Sequence, residues 1–126
     1  MYRDEDRMAG CSPDFMVESV GTASQSLEVA LPPIPGELEC PLPHNHLIWL
    51  IEGGVPREHF PQCQGHIWVT EAPFCEFMSY CPELPPLYVR VMPDEGYQKA
   101  LDKHLPTFIG EILNGRDRLR DMGVTK

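Results

Sequence analysis

The sequence predicts an α/β fold, a small sheet with helices packed on it. Strand-like and helix-like stretches follow one another in the order strands, helix, helix, strand, strand, long helix. Hydrophobic residues make up 42% of the chain and aromatic residues 9%, the composition of a chain with a packed core. Fourteen prolines cut it into short elements. A length of 126 residues suits one domain, 1–126, and not two.

The elements follow from local pattern. "DFMVESV" (14–20), "SLEVAL" (26–31) and "GELEC" (36–40) read as strands, with "ALPPIPG" (30–36) as a stiff extended connector. "HNHLIWLIEGG" is a short helix stopped by Gly53-Gly54. "VPREHFPQCQGHIWVTEA" (55–72) is a second helix, with Pro56 in its first turn and Pro61 delaying regular bonding. On it Phe60, Cys63 and Ile67 share one face, and His59, Gln62 and His66 share the neighbouring stripe. "FCEFMSYC" (74–81) and "PLYVRVMP" (86–93) are strands rich in β-formers. Residues 94–123 are helical, with Asp94 as N-cap and Gly123 as stop, and Pro106 is expected to kink or split this helix.

Charge narrows the function classes. The net charge is −9, from 19 acidic and 10 basic residues. Proteins that grip a nucleic-acid backbone usually carry the opposite balance, so the charge favours a basic partner. No apolar run is long enough to cross a membrane, and the charged start "MYRDEDRMAG" is not a signal peptide, so the expected location is the cytoplasm of the host cell. The five cysteines include no CxxC and read as free thiols. Cys40, His44 and His46 in "CPLPHNH" carry metal-binding chemistry, but without a fourth ligand or a zinc spacing His44 and His46 read as helix-capping or surface residues.

The acidic pattern "GELECP" places Glu37 and Glu39 two apart on a strand, hence on one face. Asp14 ends the proline-fixed turn "CSPD" before another strand. If these strands pair there, three carboxylates converge, and such a cluster suits Mg²⁺. A bound Mg²⁺ activates water and neutralises phosphate charge, the basis of phosphodiester cleavage.

The runs "AGCSPDF", "GELECPLPHNHLIWLIEGGVP" and "HFPQCQGHIWVTEAPFCEFMSYCPELPPLYVRVMPDEGY" resemble, in this order, the catalytic core of the YqaJ-like viral recombinases. That family contains phage lambda exonuclease and belongs to the PD-(D/E)xK nuclease superfamily. The resemblance runs from about Ala9 to Leu113, and "PQCQGHIWVTEAPFCEFMSY" is its most specific part. It implies a PD-(D/E)xK nuclease-like core with a small mixed central sheet flanked by helices. It also implies Asp14 and Glu37 as metal ligands, Gln62 as a supporting helix residue, His59 where an aromatic often stands, and Gln64 as the second Gln of the pair.

Three departures stand against that pattern. Glu39 occupies the position of the family's catalytic lysine. Phe15 stands where the family usually has glycine. The chain starts just before Ser12-Pro13-Asp14, so the resemblance implies a core lacking the family's upstream helices. With no lysine, the three acids repel one another unless a cation joins them. The expectation is a degenerate, phage-derived nuclease that acts as an acidic binding or inhibitor protein. Its targets would be basic proteins or nucleic-acid-binding complexes, as in DNA-mimicking anti-CRISPR or anti-restriction proteins. Candidates for its acidic surface are Glu18, Glu28, Glu52, Glu83, Asp94 and Glu95. The alternative is an active Mg²⁺-dependent DNA exonuclease using Asp14, Glu37 and Glu39, since some type II restriction enzymes of the superfamily cut with Glu at the lysine position.

Overall fold

A computed structural model describes residues 2–4, 8–18 and 32–124, the first three by backbone alone. Two short strands, β1 (Tyr2–Asp4) and β2 (Ala9–Cys11), pair antiparallel and pack against helix α2 (Phe60–Thr70). Neither was expected from the sequence, because three-residue strands leave no readable alternation. The main sheet has four strands in the order β3 (Phe15–Val17), β4 (Ile34–Glu39), β5 (Cys75–Ser79), β6 (Leu87–Val91). The outer pairs are antiparallel, and β4 runs parallel to β5. That parallel pair needs a crossover, which α1 (Pro43–Glu52) and α2 supply. The small mixed sheet with helices is the α/β class the sequence predicted.

Several boundaries moved. β4 begins at Ile34, so the end of the expected connector belongs to the strand. Pro35 is tolerated there because pairing with β5 begins only at Gly36. The strand expected over 26–31, and Glu28 in it, lie outside the described residues. Helix α2 starts at Phe60 rather than Val55, with Pro61 in its first turn, where a missing N–H costs nothing. Helix α1 ends as expected: Gly53 adopts φ 69° and donates its N–H to Trp49 O.

The last helix, α3 (Glu95–Asp121), is continuous through Pro106, so of the kink or split expected there the split does not occur. A helix-interior proline costs about 3 kcal/mol. The apolar side chains on both sides of it, Leu101 and Leu105 before and Phe108 and Ile112 after, line the same side, toward α2. Asp94 caps the start as predicted, its Oδ1 accepting from the Tyr97 N–H at 2.7 Å. The Trp68 indole N–H on α2 donates to Asp102 Oδ1 at 2.8 Å and ties α3 to α2.

The core lies between the sheet and the two crossover helices. It holds Trp49 of α1, Cys63 and Ile67 of α2, Cys75 and Phe77 of β5, and Leu87 and Val91 of β6, with Phe60 packed against it. The face predicted for Phe60, Cys63 and Ile67 is therefore the core face. Gln64, fully buried on α2, bonds three neighbours: its Nε2 donates to Met92 O, and its Oε1 accepts from the Asp94 N–H and from Gln98 Nε2. It locks the end of β6 and the start of α3 onto α2.

On the other sheet face, the Phe15 ring lies over Gly36, its β4 partner. A Cβ at residue 36 would stand 2.1 Å from the ring's Cζ. Gly36→Ala should therefore cost about 1–3 kcal/mol in denaturant melts. Combining it with Phe15→Ala should recover most of that loss, read as a double-mutant coupling energy. An additive pair would separate the two side chains.

Candidate functional site

The geometry of β3 and β4 explains where the acids meet. Phe15 pairs with Gly36, and the Asp14 N–H donates to Gly36 O at 3.0 Å. This fixes the Pro13-Asp14 turn against the middle of β4. The Asp14 carboxylate then accepts the Leu38 N–H through Oδ2 at 2.9 Å. Asp14 is thus held at the strand segment that carries Glu37 and Glu39, close enough to raise the pKa of Glu37. The pairing of β3 with β4 on which the expected convergence depended is present, and it brings Asp14 beside Glu37 at the edge of α2.

What surrounds them differs from an open cation cradle. Glu37 is 1% exposed and points toward α2. Its Oε2 accepts from Gln62 Nε2 at 2.6 Å, and its Oε1 meets His66 Nε2. Both carboxylate oxygens are therefore engaged by side chains one turn apart. Glu39, at residue i+2 on the same face, meets His59 Nδ1 at 3.2 Å. His59, Gln62 and His66 follow one another at offsets of three and four, so a single helical stripe faces both acids. The stripe was legible in the sequence; its partners were not.

The electrostatics follow from burial. Desolvation pushes the Glu37 carboxyl above its ordinary range, His66 and Gln62 pull it back, and Asp14 pushes it up again. His59 has a second attachment: its ring packs edge-on against Trp49 at 5.4 Å and lies 5.3 Å from the Phe77 ring. It fills an aromatic's place in the core while pairing with Glu39.

Among the described residues, no group of three or more His, Cys, Asp and Glu side chains is placed to hold a metal ion. As arranged, Asp14, Glu37 and Glu39 do not fit a divalent cation. A metal at Glu37 would have to displace Gln62 or His66, and one at Glu39 would compete with His59.

The other candidates fall elsewhere. His46 is fully buried, which corrects the capping or surface reading. Its Nε2 donates to Pro85 O at 2.8 Å, so Nδ1 is the acceptor for the Ser79 hydroxyl at 2.7 Å. Both its ring nitrogens are spent on joining α1 to β5 and the following loop, while Cys40 is exposed. Of the acidic-surface candidates, Glu18 follows β3, Glu52 ends α1, and Glu83 lies in the β5–β6 connection at φ 67°; all three are exposed. Asp94 caps α3, and the exposed Glu95 pairs with Lys99. They sit at separate element ends, not along one strand or helix. Sequence reading missed a second buried acid, Glu76 on the opposite sheet face, whose Oε1 accepts from Arg90 Nη2 at 3.0 Å. Only its cross-strand position opposite Arg90 could have signalled it.

No family model and no curated protein matches this sequence. Solved structures do. An alkaline exonuclease (LHK-Exo) from Laribacter hongkongensis superposes with TM-score 0.63 at 22% identity, over 71% of this chain and 48% of that one. The structure of LHK-Exo in complex with dAMP gives TM-score 0.62, with the same identity and coverage. The chain thus spans about half the length of the exonuclease it resembles, and the likeness is one of fold, that of a nuclease.

Removal of each acid should separate their roles. Glu37→Ala leaves the buried His66 without its partner and should cost about 3–5 kcal/mol in urea melts. Glu39→Ala breaks a pair whose acid is 32% exposed and should cost about 1 kcal/mol or less. Equal losses would contradict this placement.

Proposed function

We propose that this chain is a degenerate nuclease that does not cut, and that it works as an acidic binding protein against nucleic-acid-handling machinery. The observation that carries the proposal is the state of Glu37 and Glu39. A phosphodiesterase site of this type needs carboxylates open to a cation and a positive group beside the scissile phosphate. Here Glu37 gives both oxygens to Gln62 and His66, and the residue at the lysine position is itself an acid, paired with His59. The nuclease-like fold supports the origin of the protein.

The binding half rests on charge. A net charge of −9 repels a phosphate backbone and attracts the basic groove that would hold one. Glu18, Glu52 and Glu83 offer exposed carboxylates for that purpose, while Asp94 is engaged in capping α3 and Glu95 pairs with Lys99. Anti-restriction or anti-CRISPR proteins that imitate DNA are the specific form of this reading, with a basic host complex as partner in the cytoplasm.

One observation favours a second reading, a Mg²⁺-dependent DNA exonuclease. Asp14 is hydrogen-bonded to the same strand segment that carries Glu37 and Glu39. If Gln62 and His66 gave way, these three residues would be the ones to hold the ion, and a bound ion would supply an activated water.

A cleavage assay on linear duplex DNA with Mg²⁺ or Mn²⁺ separates the two. The expected result is no cleavage by the natural chain. Cleavage that Glu37→Ala abolishes would establish the exonuclease instead. The binding role is read by competition: the protein should displace duplex DNA from a basic nuclease or repressor of the host. Reversal of Glu18, Glu52 and Glu83 to Lys should weaken that displacement at least about tenfold. Unchanged displacement by the triple variant would remove the mimicry.

A further inference from the structure

Helix α3 presents a face that its own chain does not cover. Leu105, Phe108, Ile112, Gly115, Leu119 and Met122 lie alternately three and four apart, the a and d positions of a heptad repeat. They form one seam along the helix. Its members Phe108, Ile112, Leu119 and Met122 are between 44% and 74% exposed, and none of the residues of α3 is buried. A helix packed so little depends on its own propensity, which Pro106, Gly110 and Gly115 lower. The first half of the seam borders a groove. Leu105, Phe108 and Ile112 line an opening of about 460 Å³, with Val69 of α2 and Ala9 of β2 also in its walls. Gly65 of α2 lines it too, and a Cβ there would meet nothing within 4 Å, so the groove has room for a close neighbour.

Charge says what covers the seam. The chain carries a net −9, yet Arg116, Arg118 and Arg120 cluster at the far end of α3. Glu111 and Arg118 stand on the same flank of the seam, one heptad apart, both at g positions and both exposed. When two such helices run antiparallel, g faces g. Glu111 of each copy then meets Arg118 of the other, and the twofold axis makes this pair twice. In the same register Phe108 meets Leu119, Leu105 meets Met122, and Ile112 meets Gly115, where a Cβ would touch nothing within 4 Å. Residues 105–122 overlap over about 27 Å. A parallel pair fits less well. It would direct Glu111 to Arg116, which the neighbouring Asp117 already holds, and it would set two acidic bodies side by side.

We propose that α3 docks antiparallel on α3 of a second copy of this chain, the far end of each helix closing the groove of the other copy. The arginine end of one copy lies against the body of the other, and the two acidic bodies stay at opposite ends of the pair. The contact uses neither Glu37 nor Glu39, so it is independent of whether the acid cluster cuts DNA.

Sedimentation equilibrium on the full chain tests this, and a monomer–dimer equilibrium is expected. Phe108→Glu puts a charge into the seam and should weaken the dimer at least about a hundredfold. Its circular dichroism should match that of the natural chain, because Phe108 is exposed in the single copy. Glu111→Arg and Arg118→Glu each set like charges opposite one another and should each weaken the dimer about tenfold; combined in one chain, they should restore it. A chain that stays monomeric at millimolar concentration would overturn the proposal, as would a dimer indifferent to Phe108→Glu. Failure of the combined variant to recover, or recovery by Glu111→Arg with Arg116→Glu instead, would overturn the antiparallel register.

Discussion

A carboxylate inside a protein must be compensated or neutralised, because leaving water costs it several kcal/mol. Glu37 sits at that constraint, and much of the molecule is arranged around it. The strand pairing of β3 with β4 brings Asp14 alongside, and the crossover from β4 to β5 lays α2 across the face on which Glu37 projects. From α2, Gln62 and His66 then reach the two oxygens. The same helix supplies the core through Cys63 and Ile67 and anchors α3 through Gln64 and Trp68. Sheet, core and last helix are therefore referred to one helix whose orientation is set in part by a buried acid.

This arrangement changes what the acid pair means. Two glutamates on one strand face read as a place for a cation. In the fold, the charge at Glu37 is met by helix donors and that at Glu39 by an imidazole which also packs against Trp49 and Phe77. It is the histidines and the glutamine on α2 that answer the acids. The chain combines a nuclease-like fold with an acid cluster whose carboxylates are engaged by its own side chains.

The sequence carried more of the fold than of the site. Order and type of the larger elements followed from short-range signals: the Gly53 stop, the Asp94 cap, the alternation in 74–81 and 86–93, and the stripe of His59, Gln62 and His66. Signals that act across the chain were not readable. His46 looked like a capping residue because nothing local announces Ser79 or the Pro85 carbonyl as its partners. Pro106 left a split open as well as a kink because the helix rule is local, whereas the apolar side of α3 facing α2 continues on both sides of it. Glu37 and Asp14 were found through a resemblance and a spacing argument, but burial decides what a carboxylate does, and burial is set by tertiary packing.

The central claim is that His66 and Gln62 hold the Glu37 carboxylate in place of an ion. Imidazole-proton NMR reads this most directly. A strongly downfield, exchange-protected Nε2–H signal from His66 is expected, lost in Glu37→Gln and unmoved by millimolar Mg²⁺. Absence of that signal, or its displacement when Mg²⁺ is added, would contradict the account.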